Sequence, residues 1–539
     1  MNITTQLKHL DSDEYSFLEQ YLTFLGIKNV SKYLKPTKQY FEKPSKYDNI
    51  DLACELLKYF LRLDSNIYII RDSDTDGDCS AAILYNFLKQ WTIPIVLYHT
   101  GKQHGLEEWM LDEIQNNSLI LIPDASANDK KIMQLLQEKS CKCIETDHHL
   151  TNHLDDNIIT VNNQRSDKIK NKFLSGAGVT DKFVRRYCEL YNVEYPHYED
   201  LVAISLVSDV CNLTSMENRT YMYFGLHNIV NPFLTFLFEK CCKRRGYTPE
   251  AIGWDISPLA NALARSDEQE SKTLFFDGLV GNISPEEALK QMRKVKRLQD
   301  EKTKAVVGEI EPNLNLSKKV IVGFTSPDNA NLTGLIANKF TGKYNKPTIL
   351  LRDTGFGSWS GSLRSPVPLA TIINDKGIAS AQGHEEACGI LVKKNKFEEF
   401  TDWLETLDLS NHSYIEVTAA IKPRDIALEL CEEITKWKEL WGHGIDEPQF
   451  YIKTKINQDN VFVFEKNSTT LKLVIDGISV IKFFATPEDI EAFRANQKFE
   501  IELVVGELSV NEWDGVKTPQ CIIQKYEVHK INEDWSESF

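Results

Sequence analysis

The chain has 539 residues, of which 42% are apolar and 26% charged, and its formal net charge is −16. That length exceeds one small core and predicts two to four domains of an ordinary globular protein. The acidic balance excludes an indiscriminate basic coat for nucleic acid, although local patches and bound divalent cations can reverse the field where a phosphate sits.

The opening "MNITTQLKHLDSDEYSF" lacks a basic region followed by an apolar block, so no signal peptide is expected. No apolar run approaches the roughly 18–20 residues that would span a bilayer. Eleven cysteines are scattered without a framework, which fits a reducing cytoplasm. "SNIYIIRDSDTDGDCSAAILYNFLKQW" then reads as a buried strand, a polar loop and an amphipathic helix from about Cys79. "SLILIPDAS" is a second short apolar run that stops at Asp124. "CKCIETDHHL" is a third, ending in Asp147, His148 and His149, and "NIITVNNQ" is a fourth. Short strands alternating with helical stretches predict a parallel sheet wrapped by helices, with ligand sites beyond the carboxyl ends of the strands. Three of these runs place acidic residues there.

From Ser284, "SPEEALKQMRKVKRLQDEKTKAVVGEI" reads as one long helix, with Ser284 and Glu287 as a capping box and Pro285 at the first position. Lys290, Arg293, Lys294, Lys296 and Arg297 make it locally basic, either as a solvated face or as the border of a nucleic-acid groove. "KKVIVGF" opens a second α/β unit running to about residue 408. Beyond it, "SYIEVTAAI", "QFYIKTKI", "NVFVFE", "LKLVIDGISVIKFF", "KFEIELVVGEL" and "TPQCIIQKYEV" predict a small β-barrel or sandwich. The tail "INEDWSESF" is acidic.

In "DSDTDGD", Asp72, Asp74 and Asp76 stand on alternate residues before Gly77. A calcium loop would end in Glu at its twelfth position, which here is Ile83, so that reading fails. Asp72, Asp74, Asp76, Asp124, Asp147 and Asp209 gathered at strand ends would repel one another without cations. Any one of them alone reads as a cap or turn residue. Two divalent metals about 3.5–4 Å apart would supply the charge and activate water for attack on phosphorus. Mixed imidazole and carboxylate donors favour Mn²⁺ over Mg²⁺. Elsewhere, "GFGSWSGSLRS" fits no glycine-rich nucleotide loop, but Ser362, Arg364 and Ser365 offer a guanidinium fork and hydroxyls for a phosphate. Cys141 and Cys143 lack a second pair and do not read as a zinc site.

"DSDTDG", "IPDAS", "ETDHH" and "AISLVSDV", in that order, resemble the four motifs of the DHH phosphoesterase family. "GSLRS" and "GHEEACGI" are similar to the DHH-associated domain, "SPLANALARSD" to the segment before the connecting helix of RecJ-like members, and "WGHGIDEPQF" with "NEWDGVKTPQ" to their OB-fold. The resemblance implies an α/β fold: a parallel-sheet DHH domain over residues 1–280, a connecting helix over 281–312, an α/β DHH-associated domain over 313–408, an OB-fold barrel over 409–530 and a tail over 531–539. It implies that Asp74 ligates one metal and Asp76 the other, with Asp124 bridging. His148 and Asp209 complete the second ion's shell, and Asp72 belongs to the surroundings of the first. Asp147 would fix the His148 ring, and His149 would face the scissile phosphate or the attacking water. Arg265, Ser362, Arg364, Ser365 and His384 would bind substrate, although Gln382 replaces a glycine of the family pattern before Gly383. The barrel would guide a single strand, with Trp441, Phe450, Lys482, Trp513 and Lys517 as weakly marked candidates, burial in the core being the plainer reading of each aromatic.

The activity so implied is 5′-to-3′ exonucleolytic digestion of single-stranded DNA to mononucleotides, using two Mn²⁺ or Mg²⁺ ions, in repair and recombination. The protein would be a monomer in the cytoplasm of a bacterium or phage-infected cell, met there by a single-strand-binding protein or a helicase, with no membrane partner. Two rival functions are a phosphodiesterase of short oligonucleotides or cyclic dinucleotides, which needs no strand guide, and a catalytically silent replication scaffold. The intact set of motif acids and histidines speaks against the scaffold.

Overall fold

The protein is described here from a computed structural model that covers residues 1–7, 16–99, 105–125, 130–150, 158–409, 415–465, 468–495 and 497–530. The acidic tail, 531–539, lies outside the described residues. Two units emerge: Met1–Ser257 with Phe276–Pro285 and Ile415–Phe539, and Pro258–Phe275 with Glu286–Tyr414. Among the described residues no helix is long and apolar enough to cross a membrane.

The first unit begins with strand β1 (Ile3–Thr5) and helix α1 (Phe17–Phe24). Its parallel sheet then takes β2 (Ile67–Arg71), β3 (Ile95–Tyr98), β4 (Leu119–Pro123), β5 (Lys142–Asp147) and β6 (Ile158–Asn162), in the order β3-β2-β4-β5-β6. All five residues of β2 and of β4 are buried, because helices cover both faces of a parallel sheet and leave no solvent side. Helix α2 (Thr75–Leu88) follows β2, four residues earlier than the apolar period suggests. The Asp74 carboxylate accepts from the Gly77 N–H at 2.8 Å and caps the helix, so Asp76 and Gly77 lie in its first turn. Gly77 has no Cβ for a steric reason: one there would sit 2.6 Å from the Asp72 Cβ. Helices α3 (Gly176–Tyr191) and α4 (Glu199–Ser208) complete the part that carries the site. Cys141 and Cys143 are buried in the core with Ile120, Ile122 and Met133, as plain apolar thiols.

In the second unit, helix α5 (Pro285–Ile310) runs for 26 residues, and its Val306 and Ile310 pack with Leu332, Ile336 and Phe340. Lys290, Lys296 and Arg297 pair with Glu287, Asp300 and Glu301 on the same helix, as on a solvated face. A mixed sheet follows, from β7 (Ile321–Thr325), β8 (Thr348–Asp353), β9 (Ser358–Arg364), β10 (Ala379–Gly383) and β11 (Ala387–Lys393), in the order β10-β11-β9-β8-β7. Helix α6 (Thr333–Tyr344) lies between β7 and β8 in the chain.

The chain returns to the first unit as a sheet of seven described strands spanning Ala419 to Lys530. Its core takes Phe17, Leu18, Tyr21 and Leu22 of α1, and Ile3–Thr5 pairs in parallel with Ile415–Val417. Chain order does not disclose this grouping of the first residues with the last. Trp441 and Phe450, candidates for a nucleic-acid face, are 6% and 0% exposed and belong to this core, in line with the plainer reading of an aromatic. Lys482 lies 3.7 Å from Asp489, and Lys517 lies 3.2 Å from Glu432. Trp513 is open, 81% exposed at the Asp514–Gly515 hairpin, and Lys517 is exposed on the same hairpin. Exposed Phe462, Phe464 and Phe483 were not anticipated. In register, Phe464 lies beside Thr470, which lies beside Phe483, so two of these rings share one row of the sheet.

In the motif "WGHG", a Cβ on Gly442 would come within 2.6 Å of Leu213, and one on Gly444 within 2.6 Å of Asn212. The motif is therefore a seat for the 212–213 segment, and the Leu213 N–H donates to the His443 carbonyl at 2.9 Å.

Candidate metal centre and phosphate pocket

At the carboxyl ends of β2, β4 and β5, three turns converge. Asp72, Asp76, Asp124 and Asp147 are 2%, 2%, 1% and 0% exposed, so these carboxylates are withdrawn from water. Asp124 closes β4 in the left-handed region (φ 54), which Asp tolerates, and its N–H donates to the Thr146 carbonyl at 2.9 Å. Gly176 opens α3 directly against it; any Cβ there would overlap the Asp124 carboxylate.

Asp76 accepts from the Gly176 N–H through Oδ2 and from the Ala177 N–H through Oδ1, both at 2.8 Å, and from the Ser205 hydroxyl through Oδ1 at 2.6 Å. Its Oδ1 is thus filled, while Oδ2 keeps a lone pair and lies 3.7 Å from His148 Nε2. The same His148 nitrogen is 3.3 Å from Asp124 Oδ1 and 3.6 Å from Asp209 Oδ2. Two of these atoms, His148 Nε2 and Asp124 Oδ1, are buried without a hydrogen-bond partner. Donors bonding one ion at about 2.0–2.2 Å stand roughly 3–3.6 Å apart, close to the spacing here. Three overlapping donor groups result, Asp76–His148–Asp209, Asp72–Asp74–Asp124 and Asp124–Asp147–His148–His149, each with its ligand atoms within 4.8 Å of one another. Asp124 belongs to the second group and touches the first.

Electrostatics fit this set to cations. Burial, then the charges of Asp72 and Asp76, push Asp74 up to about 7. Burial and Asp76 raise Asp124 well above the carboxylate range, and burial and Asp76 raise Asp209. Divalent ions would replace these protons. The donors, carboxylates with one imidazole, suit Mn²⁺ and admit Mg²⁺.

Asp147 behaves differently from the expectation. Its Oδ1 accepts from the backbone N–H of His148 at 2.8 Å and meets Nδ1 of His149 at 2.8 Å, so it orients the His149 ring where the His148 ring was expected. Adjacent side chains on an extended strand end point to opposite sides, and only His149 turns back to the carboxylate. Burial works against the Asp147 charge, but His149 outweighs it and holds the carboxyl below its usual value. In return, the Asp147 hydrogen bond lifts His149 to about 9.

The second unit brings together another group. Arg364 ends β9, and Ser362 Oγ lies 2.9 Å from Thr333 Oγ1 at the start of α6. A Cβ on Gly334 would stand 2.8 Å from Arg364 Nη2, so the guanidinium lies against the first turn of this helix. Leu332 supplies no side-chain cap there, which leaves the helix N–H groups to an anion. Arg265 borders a cavity of about 180 Å³ with Lys302, Gln299 and Asn331. Although its side chain is open to solvent, partial desolvation and then the Arg364 charge lower its pKa, and burial lowers that of Arg364. Neither guanidinium has a carboxylate partner among the described residues; their bonds go to the Asn261 and Leu363 carbonyls.

Ser365 does not join them. It is 8% exposed, and its hydroxyl accepts from the Val367 N–H, shaping the turn after β9. His384 is exposed at the β10–β11 turn, one strand from Arg364, which registers with Ala387. Gln382 faces Gly389 in regular pairing with its side chain exposed, so the residue replacing a glycine leaves the turn undisturbed. Gly176, Ser205, Cys211, Thr333 and Gly334 were missed. The small-residue run "SGAG" at 175–178 was the available signal for a close backbone approach.

Residues 66–206 match the DHH family, N-terminal domain, and residues 417–525 match the RecJ OB domain. The chain is 27% identical to the prophage-derived protein YorK of Bacillus subtilis (strain 168), over 97% of this chain and 98% of that one. It is 23% identical to the single-stranded-DNA-specific exonuclease RecJ of Salmonella typhimurium, over 88% and 89% of the two chains. The crystal structure of RecJ from Thermus thermophilus in complex with Mn²⁺ shares the fold, with a TM-score of 0.75 at 18% identity, covering 97% of this chain and 78% of that one. With both domain matches and this likeness over nearly its whole length, the chain is RecJ-like, carrying a DHH family N-terminal domain ahead of a RecJ OB domain.

Proposed function

We propose that the protein is a metal-dependent exonuclease that digests single-stranded DNA from the 5′ end to mononucleotides. The observation that carries this reading is the placement of Asp124, which belongs to the donor group of Asp72 and Asp74 and lies 3.3 Å from the imidazole in that of Asp76 and Asp209. When bound, two divalent ions supply a nucleophilic water at neutral pH and positive charge on the phosphoryl oxygens. Asp72 and Asp74 would hold the first, Asp76, His148 and Asp209 the second, and Asp124 would serve both. Asp76 presents Oδ2, because its other oxygen is occupied by Ala177 and Ser205. Asp147 meets Nδ1 of His149 and so orients a half-exposed ring that would face a phosphate oxygen or the attacking water.

Arg265, Arg364, Ser362, Thr333 and the open turn of α6 supply a charged fork, hydroxyls and N–H groups for a substrate phosphate, with His384 nearby. The barrel guides the strand, with exposed Phe462, Phe464, Phe483 and Trp513 as stacking surfaces. The cell context is the cytoplasm of a bacterium or phage-infected cell, where a single-strand-binding protein or a helicase presents ends, and the roles are repair and recombination.

End-labelled single strands digested with Mn²⁺, Mg²⁺ or chelator test the reading, alongside a dinucleotide. We expect mononucleotides from the 5′ end with Mn²⁺ and none with chelator. Equal or faster cleavage of the dinucleotide would replace this function with a short-oligonucleotide phosphodiesterase.

A further inference from the structure

Each carboxylate that faces the His148 nitrogen needs something to fix its rotamer. Asp76 has two backbone N–H groups and a hydroxyl, and Asp124 is buried at 1% exposure. Asp209 has neither protection, since its side chain is 32% exposed. The group that meets it is a thiol: Cys211 Sγ donates to Asp209 Oδ2, the oxygen that faces His148, at 3.4 Å.

The backbone is shaped to make that contact. Helix α4 ends at Ser208 with Asp209 as its cap. The Val210 N–H then bonds the Val207 carbonyl at 3.2 Å and the Cys211 N–H bonds the Leu206 carbonyl at 2.9 Å, the paired closure of a Schellman motif. That closure requires a left-handed residue, normally glycine or asparagine, and here it is Val210, with φ 53. A β-branched side chain is disfavoured in this region, and burial does not compensate it, because Val210 is 59% exposed. The strain persists because the chain beyond is pinned: Leu213 donates to the His443 carbonyl, and its own carbonyl accepts from the Tyr33 hydroxyl at 2.6 Å.

We propose that Cys211 is a positioning residue for the metal ligand Asp209, set in place by the left-handed turn at Val210 and holding Oδ2 toward the His148 nitrogen through an S–H···O bond. The proposal rests on the reading of Asp209 as a metal ligand. Cys211 itself does not touch the ion: its sulfur lies outside the group whose ligand atoms share the 4.8 Å cluster. A valine at 211 keeps the bulk and loses the donor, whereas a serine keeps a donor.

The test is Mn²⁺ binding to the metal-free full chain, followed by calorimetry and by the resonance of free Mn²⁺, for the wild type, C211V, C211S and D209N. We expect C211V to weaken one of two Mn²⁺ ions about 5–10-fold, on the scale of groups that orient a ligand. C211S should return to within about 2-fold of the wild type, and D209N should lose the same ion altogether. A C211V isotherm equal to that of a two-ion wild type overturns this role alone. Equal losses in C211S and C211V, with unchanged melting temperatures, overturn it too. A wild type that takes up no Mn²⁺ overturns the metal reading and this role with it.

Discussion

In the first unit, six aspartates crowd the rim of a parallel sheet; in the second, Arg265 and Arg364 lie near one another, and neither is paired with a carboxylate among the described residues. Burial, reinforced by neighbouring carboxylates, raises the pKa of Asp74, Asp124 and Asp209; burial lowers that of Arg265 and Arg364, and the Arg364 charge adds to it at Arg265. Folding has placed like charges together in each unit at an electrostatic cost. A ligand of opposite sign removes that cost, which is why one unit suits cations and the other a phosphate. The barrel shows the contrast, because several of its charges stand in opposite-sign pairs, as with Lys453 and Glu500 at 3.1 Å.

The most severe way to break this contrast is to neutralise the shared carboxylate. Asn tolerates the left-handed backbone at 124, so D124N keeps the turn and loses the charge. Its kcat/KM on a labelled single strand should fall about 10³-fold, the scale of losing one electrostatic stabiliser. Near-normal activity in D124N would mean that the crowded acids do not serve metals.

In the second unit, R364A should raise KM about 10–100-fold, as expected for a charge-assisted hydrogen bond, while Mn²⁺ stoichiometry stays unchanged. R364K should recover only part, since an ammonium lacks the planar fork. Unchanged KM in R364A would remove the phosphate role and the comparison with it.

Smaller effects sharpen the picture. D147N should cost about 10-fold in kcat/KM, as for other groups that orient a site side chain. In the metal-free protein, an NMR titration of His149 should show its pKa falling from about 9 toward the ordinary imidazole range, because the Asp147 hydrogen bond is its largest cause. A His149 titration unchanged in D147N would refute the pairing.

The least effect is on stability against pH. Asp74 titrates near 7 in the fold, against about 3.9 in an unfolded chain. Between those values the folded state binds more protons, so metal-free stability falls as pH rises from about 4 to 7. The apparent Tm of the metal-free protein should drop by a few degrees across that window, and saturating Mn²⁺ at pH 7 should restore it. A Tm that rises with pH in the absence of metal would show the acids already neutralised by some other means.

Much of the site was legible in the chain because its donors sit in short contiguous motifs. A strand that stops at "DSDTDG", "IPD" or "ETDHH" puts side chains at a sheet's rim whatever surrounds it. Less legible were contacts between distant segments. Asp147 chose His149 over His148, Ser365 turned inward to Val367, and the helix after β2 began at Asp74 because a cap, invisible to apolar periodicity, outranked it.

By itself, the sequence determined the parallel strands, the acidic rim and the order of the modules, since apolar runs and local turn chemistry act over a few residues. Only the tertiary structure decided that α1 fills the barrel core, that Trp441 and Phe450 are buried there, that Gly176 presses on Asp124, and that Cys211 faces Asp209. These depend on which distant surfaces meet, and close packing admits one arrangement where composition admits many.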